Sequence, residues 1–286
     1  MIDVRQRLRR FLWRHVPRPM LVVRYVRVFG RIPRLVRPRT FTEHLLVKLL
    51  FDRDPKLALF ADKLAVRAYV AERLGGEQHL TTVYATVDRA DQILDLDLPN
   101  RFVMKPNHLS GAIKVVRDLA STDRAALIAL AAPWFARNLG AERGEWAYRH
   151  IRPRVLFEEL LESDGGPPSD YRFYCFDGEP RLISLTNDWL GPDPTSALYD
   201  VDFKLLEARQ LNTVSRHLKV QAPRPPSFEQ MLDVARRLSA GTDFVRVDLY
   251  NLGGRIVFGE LTNYPAGGLR KFDPASFDLT VGSYWH

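Results

Sequence analysis

The sequence holds a single cysteine in 286 residues, Cys175. That excludes an internal disulfide framework and a zinc site built on thiolates. Cys175 sits inside the apolar, strand-like YRFYCF with nothing nearby to activate it, so an inert packed thiol is expected. The chain has no run of about 18 apolar residues and thus no predicted transmembrane helix. The N-terminus lacks the apolar core and small-residue cleavage site of a secretory signal, because Arg5, Arg7, Arg9 and Arg10 lead into a run broken at Arg14 and Pro17. A cytoplasmic protein is expected. Whole classes of chemistry lack their marks too. No GxxxxGK[ST], GxGxxG or GxSxG is present, and the histidines show no metal-ligand spacing such as HxxxH. Internal repeats and low-complexity tracts are missing as well.

Acidic residues are scarce at one end only. Residues 1–39 hold twelve arginines against one aspartate, a net of +11, which leaves −3 for the other 247 residues of a chain whose total is +8. Over the first turns Val4, Leu8, Phe11 and Leu12 cluster on one helical face and the arginines take the rest. A basic helical extension over 1–39 is expected, suited to an anionic surface. Plain solubility of the extension is the first expectation, with contact to a polyanionic polymer or to anionic lipid at the inner face of the membrane as its functional alternatives. No zinc-finger, RNP-type or basic-zipper pattern is present, and no nucleic acid partner is expected.

What is present is ordinary globular composition, 46% hydrophobic and 27% charged, in a chain long enough for one large or two small domains. Thr40 and Glu43 form a capping box that predicts a helix from about Phe41. Asp54-Pro55 interrupts it, and a second helix is expected from about Lys56 to Leu74, stopped by Gly75-Gly76. Strands are expected over 81–87, 101–105, 112–117, 154–161, 171–176, 180–186 and 197–203, with helices over 88–96, 122–139 and 228–240, the last capped by Ser227. Helices and strands are mixed without strict alternation, so the class is α+β.

The stretch 243–268, DFVRVDLYNLGGRIVFGELTNYPAGG, reads as a hairpin turning at Asn251 to Gly254. Period two puts Arg246, Asp248 and Tyr250 on one face of the first strand, and Phe258, Glu260 and Thr262 on one face of the second. Acids inside apolar strands are expensive to bury unless paired or bound to a cation. Upstream, Lys105 ends a strand before a loop containing Asn107, His108, Ser110 and Gly111, an arrangement able to hold phosphate oxygens. Further on, VLFEELLE places apolar Val155 to Phe157 ahead of Glu158, Glu159, Leu160, Leu161 and Glu162. Such a strand end can present backbone groups to an adenine and a carboxylate to a ribose.

The order of these pieces resembles the ATP-grasp superfamily. More closely, FTEHLLVKLLFDRDP, ADKLAVRAYV, FVMKPNH, DYRFYCFDGEP, VRVDLY and FGELTNYP, between about residues 35 and 275, resemble the TupA-like ATP-grasp family. The resemblance implies an ATP-grasp fold of two α+β subdomains clamping ATP. It would occupy 40–286, as a small ATP-clamping subdomain at about 80–160 and a C-terminal subdomain at 161–286. It implies that Lys63 and Lys105 contact ATP phosphates, that Glu159 to Leu161 line the adenine, and that Glu162 or Asp164 meets the ribose. Asp248 and Glu260 would hold Mg²⁺, and Arg246 would stabilise the anionic intermediate. In related ligases the metal-binding Asn lies two residues after the Glu; here that place is Thr262 and the amide is Asn263. The implied activity is an ATP- and Mg²⁺-dependent ligase joining a carboxylate to an amine through an acylphosphate. The implied acceptor is a uronic acid or other carboxylate of a cell-surface polysaccharide or its lipid-linked precursor. A glycosyltransferase is the alternative, on Asp200-Val201-Asp202 or Asp95-Leu96-Asp97 as a DxD motif.

Overall fold

Side-chain caps set where the first helices begin and end. The computed structural model describes residues 17–163 and 166–286, so the arginine-rich pattern of residues 4–14 lies outside the described residues. Helix α1 (Pro17–Phe29) buries Leu21 and Tyr25 and ends at Gly30, whose φ of +68° suits a residue without a Cβ. The predicted capping box forms at helix α2 (Phe41–Phe51). Glu43 does more there than a box requires. Its fully buried carboxylate accepts from the Arg31 guanidinium at 2.8 Å and from the backbone N–H groups of Arg34, Arg39 and Thr40 at 3.2, 3.0 and 3.3 Å. Burial pushes this carboxyl up, but the donors outweigh it and hold it below the usual range. Arg18 donates to Leu50 O, and Tyr25 Oη lies 3.4 Å from Thr42 Oγ1. Residues 18–39 are therefore packed into the body of the fold, which corrects the expected separate extension over 1–39.

The predicted helix from Lys56 to Leu74 breaks into α3 (Pro55–Ala61) and α4 (Val66–Leu74). The cause is Asp62, whose Oδ1 accepts from the N–H groups of Leu64 and Ala65 at 2.9 and 3.2 Å, a local turn that competes with helix. The chain folds as two units interleaved in sequence: Arg53–Ala68 with Leu80–Leu161, and Arg18–Asp52 with Tyr69–His79 and Glu162–His286. Contiguous blocks at about 80–160 and 161–286 are thus too simple, because each unit also draws on upstream segments.

In the first unit, β1 (Val83–Val87), β2 (Phe102–Pro106), β3 (Lys114–Val116) and β4 (Val155–Glu158) form an antiparallel sheet in the order β1-β4-β2-β3. Phe102, Met104, Val155 and Phe157 pack with Leu127, Ala131 and Trp134 of helix α5 (Arg124–Phe135). That helix is shorter than predicted. A separate helix α6 (Leu139–Arg143), capped by Asn138, contains Gly140, the residue just past the expected helix 122–139 and a natural helix stop by sequence. Gly140 is instead a close approach, since a Cβ there would lie 2.8 Å from Arg149 Cα.

In the second unit, β5 (Asp170–Phe176), β6 (Glu179–Asn187), β7 (Thr195–Tyr199), β9 (Arg216–His217), β10 (Phe244–Leu252) and β11 (Arg255–Thr262) make a sheet ordered β11-β10-β5-β6-β7-β9. Strand β8 (Arg209–Gln210) pairs with β12 (Phe272–Asp273). One face of the large sheet packs on helix α7 (Phe228–Ser239), with Phe173 against Phe228 at 6.4 Å between ring centroids. Ser227 makes no side-chain cap there, contrary to expectation. Cys175 is on this packed face; burial pushes its thiol up to about 12, which fits an inert residue.

The opposite face changes character along its length. At one end Tyr174, Phe176, Leu182, Leu198 and Phe244 pack with Phe41 of α2 and Val281 of helix α8 (Phe277–Gly282). At the other end the same strands carry Asp170, Arg172, Ser184, Arg246, Asp248 and Glu260, held side by side by the register Asp248↔Arg172, Arg172↔Ser184 and Asp248↔Glu260. The apolar half anchors the sheet against α2 and α8.

Two outcomes follow from these anchors. Glu43 has a folded pKa below its ordinary 4.5, so its contribution is full above that pH and lost as pH falls through it. Urea midpoints measured from pH 7 down to pH 3 will drop more steeply for wild type than for Glu43→Gln. At Gly282 a Cβ would meet Arg39 O at 2.2 Å and Phe41 N at 2.7 Å, all backbone, so Gly282→Ala will cost about 3 kcal/mol in urea unfolding. An unchanged midpoint would mean the α8–α2 contact is looser than drawn.

Candidate functional site

Each unit carries its own half of the residues expected to act. In the first unit Lys105 lies on β2, two residues from Val103, whose Cα partner is Glu158. Lys105 and Glu158 therefore share a sheet face and form an ion pair. Glu158 is buried and its Oε2 also accepts from Thr81 Oγ1 at 3.0 Å; Arg67 in turn donates to Thr81 O at 2.6 Å. Glu159 leaves the strand, its N–H donating to Thr82 O at 2.9 Å, and Leu160 to Glu162 continue half-buried. Asp164 lies outside the described residues.

The loop between β2 and β3 is built around Asn107. Its side-chain amide donates to Asp62 Oδ1 at 2.9 Å and Arg152 O at 3.1 Å, and its Oδ1 accepts from the Arg154 N–H at 2.8 Å. Asn107 O accepts from the Lys63 N–H at 3.1 Å. The buried amide thereby ties the Asp62 turn to the loop, and Lys63 Nζ donates to Leu109 O at 2.7 Å. Asn107 is a buried strut here rather than a residue turned to a ligand. The same holds for His108, which is buried with Nδ1 3.1 Å from Asn107 Oδ1 and Nε2 3.0 Å from Trp134 O. Burial lowers its pKa against the upward pull of the Trp134 carbonyl, which favours a neutral ring. Ser110 and Gly111 are exposed, and Gly111 has φ +74° with open space around it. Exposed backbone in that conformation beside Lys63 and Lys105 suits oxyanions.

In the second unit the hairpin of β10 and β11 departs from strict period two. Asp248 pairs with Glu260 but Leu249 pairs with Phe258, so Gly259 is an extra residue, a bulge. A Cβ at Gly259 would lie 3.0 Å from Asp248 O, which explains the glycine. The bulge turns Phe258 to the face of Leu249, away from Glu260 and Thr262, correcting the expected shared face. Arg246 is the hub. Its Nε donates to Asp248 Oδ1 at 2.7 Å, and its Nη2 to Asp248 Oδ2 at 2.5 Å, Glu260 Oε1 at 3.1 Å and Thr262 Oγ1 at 3.0 Å. Thr262 Oγ1 donates to Glu260 Oε1 at 2.7 Å. Burial raises the Asp248 carboxyl to about 7, Arg246 opposing and Asp170 adding to it. Burial works against the Arg246 charge, yet Asp248 keeps its pKa well above the ordinary value.

Strand β5 adds two residues that the sequence reading passed over. Arg172 donates to Asp170 Oδ2 at 2.8 Å and stands 3.9 Å from Asp248 Oδ2. Asp170 is buried, its carboxyl pushed up by burial, and its Oδ1 has no hydrogen-bond partner; Ser184 Oγ, on the same face, has none either. The signal was available: DYR repeats the anomaly of charged residues at period two in an apolar strand. Arg270 completes the set. It donates to Leu211 O and Asn212 O at 3.2 and 2.9 Å, and burial, then repulsion from Arg246 and Arg172, lowers its pKa.

Among the described residues no group of three or more His, Cys, Asp or Glu forms a metal cage. Mg²⁺ usually takes one or two carboxylates and completes its shell with water and phosphates. The hard oxygen donors of Asp248 and Glu260, with an unsatisfied buried Asp170 Oδ1 on the same face, fit that habit. Strand β11 ends at Thr262, and Asn263 is buried just beyond it; Thr262 is engaged by Arg246 and Glu260. The DxD motifs are turn chemistry. Asp200 Oδ1 accepts from the N–H groups of Asp202 and Lys204 at 3.0 and 2.8 Å, and Asp95 and Asp97 are exposed.

Comparison with known proteins sets these halves in a family. A family model described as TupA-like ATPgrasp matches residues 43–286. The curated proteins contain no match to the chain. Among solved structures, an L-amino acid ligase from Bacillus licheniformis is 12% identical with a TM-score of 0.47, over 91% of this chain and 56% of that one. A D-alanine-D-alanine ligase from Helicobacter pylori is 16% identical with a TM-score of 0.44, over 78% and 59%. The ATP-grasp ligase PsnB complexed with minimal precursor is 14% identical with a TM-score of 0.42, over 78% and 61%. The chain thus spans about three-fifths of the length of these structures.

Arg246 bridges the buried Asp248 and the partly exposed Glu260, with Arg172 3.9 Å from Asp248 as the next cation. Arg246→Met will therefore destabilise the ligand-free protein by roughly 3–5 kcal/mol. Adding Asp248→Asn to that variant will recover part of the loss. If Arg246→Met unfolds in urea with the wild-type midpoint, the network does not hold the charged face together.

Proposed function

The chain belongs to the TupA-like ATP-grasp family, and from that premise we propose that it is an ATP- and Mg²⁺-dependent carboxylate-amine ligase. The observation that carries the reading is the Arg246, Asp248, Glu260 and Thr262 network on paired strands, a concentration of buried charge that stability alone does not require. Lys63, Lys105 and the exposed backbone at Ser110 and Gly111 are read as phosphate contacts, and Glu159 to Glu162 as the nucleotide-base and ribose edge. Lys105 would exchange its ion pair with Glu158 for a phosphate oxygen. Asn107 and His108 are read as the struts that hold this loop, and Asp248, Glu260 and Asn263 as ligands of the metal. Mg²⁺ held there supplies positive charge to the transferring phosphoryl group.

The reaction passes the γ-phosphoryl group of ATP to a carboxylate oxygen, giving ADP and an acylphosphate. The amine then attacks the acyl carbon, the C–O bond to phosphate breaks, and the amine loses a proton. Arg246 donates to the oxyanion that forms, while Arg172 and Arg270 orient the acceptor carboxylate. The acceptor is read as a uronic acid or other carboxylate of a cell-surface polysaccharide or its lipid-linked precursor. The arginine-rich sequence at Arg5, Arg7, Arg9, Arg10 and Arg14 suits such an anionic, membrane-adjacent acceptor, with the protein in the cytoplasm at the inner face of the membrane. No helix among the described residues is long and apolar enough to cross a membrane.

Hydroxylamine tests the reading, because as the amine it turns an acylphosphate into a hydroxamate, read as its coloured iron(III) complex. Wild-type protein with Mg-ATP and a panel of uronates will form hydroxamate and ADP together. Asp248→Asn and Glu260→Gln will lower both by about 100-fold or more, and EDTA will abolish them. Tight binding of a sugar nucleotide with no ATP turnover would sink the ligase and revive the glycosyltransferase.

A further inference from the structure

A cavity of about 550 Å³ in the unit that includes Glu162–His286 has no residue of the charged hairpin among its walls. Its walls include Arg31, Arg34 and Lys271 beside the apolar Phe29, Phe272 and Leu279. We propose that this cavity is a binding subsite for an oxyanion, carboxylate or phosphate, carried on a ring-sized organic body.

Charge is the first ground. Three cations line the cavity against one carboxylate, Asp278. That carboxylate is committed elsewhere: Oδ1 accepts from the Thr42 N–H at 3.1 Å and Oδ2 from Thr42 Oγ1 at 2.6 Å. Arg31 is committed too, donating to Glu43 Oε1 at 2.8 Å and Thr40 Oγ1 at 3.2 Å. The Arg34 guanidinium and the Lys271 ammonium have no carboxylate partner among the described residues. Two uncompensated cations at one concave site are suited to an anion.

Placement is the second. The backbone N–H of Arg34 donates to the buried Glu43 carboxylate, and that of Lys271 donates to Asn212 Oδ1 at 3.1 Å while its carbonyl accepts from Leu211 at 2.8 Å. Both cations therefore rise from backbone held by hydrogen bonds. The volume is that of a small-molecule site, and two phenyl rings with a leucine provide apolar walls for the body of a ring. Lys271 follows Arg270, whose guanidinium lies in the field of Arg172 and Arg246, so one short segment supplies a cation to each site. The subsite itself stands on these contacts; its assignment to the acceptor substrate rests on the ligase reading.

The test is direct binding to the full chain without ATP, by calorimetry or ligand-observed NMR, with glucuronate in one arm and glucose 1-phosphate in the other. Wild type will bind at least one probe at about 10 mM or below, and the arm that binds identifies the anion. The Arg34→Ala/Lys271→Ala variant will weaken binding about tenfold or more. Ala275→Trp, which fills the cavity and keeps its charges, will do the same, and Asp248→Asn will leave binding unchanged. Equal binding by wild type and the filled variant, or no binding of either probe to wild type, overturns the subsite. A wild type that binds a probe yet never cleaves ATP keeps the subsite and removes the ligase.

Discussion

A guanidinium held between two carboxylates on neighbouring strands is the constraint around which the larger sheet is arranged. Arg246 reaches Asp248 with two hydrogen bonds, and the same Nη2 reaches Glu260 and Thr262. For those groups to meet, β10 and β11 must keep the register Arg246↔Thr262 and Asp248↔Glu260. That register is maintained on the other side of Gly259 only by a bulge, since straight pairing would shift every residue toward the turn by one place. The bulge lets one hairpin serve two needs. Beyond it Ile256, Val257 and Phe258 are buried, and before it Glu260 and Thr262 stay with the charges.

Much of this was legible in the sequence because it is written in local rules. The capping box at Thr40 and Glu43, the hairpin turn at Gly253-Gly254 and the period-two charges of β10 each need only a few adjacent residues to be read. What was not legible depends on distant partners. Asp62 stops a helix by a turn that any aspartate can make, but it is fixed there by Asn107, 45 residues away. His108 sits in a loop that reads as polar and is buried because the Trp134 carbonyl and the α5 core receive it. Gly140 looks like a helix stop and is instead a close approach to Arg149, another long-range fact. Residues 18–39 read as a basic extension because arginines dominate them. Yet Leu21 and Tyr25 are buried, and Arg31 is consumed by Glu43. Composition shows the charge of a segment but not which of its charges are already neutralised.

Glu43 illustrates how one buried acid spreads order through a neighbourhood. Three backbone N–H groups and a guanidinium converge on it, and those donors come from residues 31, 34, 39 and 40. The irregular chain between α1 and α2 is thereby fixed without strand or helix of its own. Asp278 does the same from the other end of the chain by capping Thr42, and Gly282 allows α8 to lie against the start of α2. The cavity walls at Arg31, Arg34 and Asp278 are by-products of this arrangement, so their geometry is set by groups that take no part in binding.

The charged half of the large sheet is a poor design for stability. Asp170, Asp248 and Glu260 face Arg172, Arg246 and Arg270, so the side chains nearly cancel, but each pays desolvation that an apolar set of equal volume would avoid. The apolar half of the same strands shows that the fold can supply such residues a few positions away, at Tyr174, Phe176 and Phe244. Asp248 is the most exposed to this tension, its carboxyl lifted to about 7 by burial even with Arg246 in contact. A group so placed is poised to gain from further positive charge, and a divalent cation is a stronger source than a proton at neutral pH. Arg246 would then be released in part from Asp248, with its Nη2 still near Glu260 and Thr262 and able to meet an anion. In this network each carboxylate thus has an arginine neighbour, Asp170 with Arg172, Asp248 and Glu260 with Arg246.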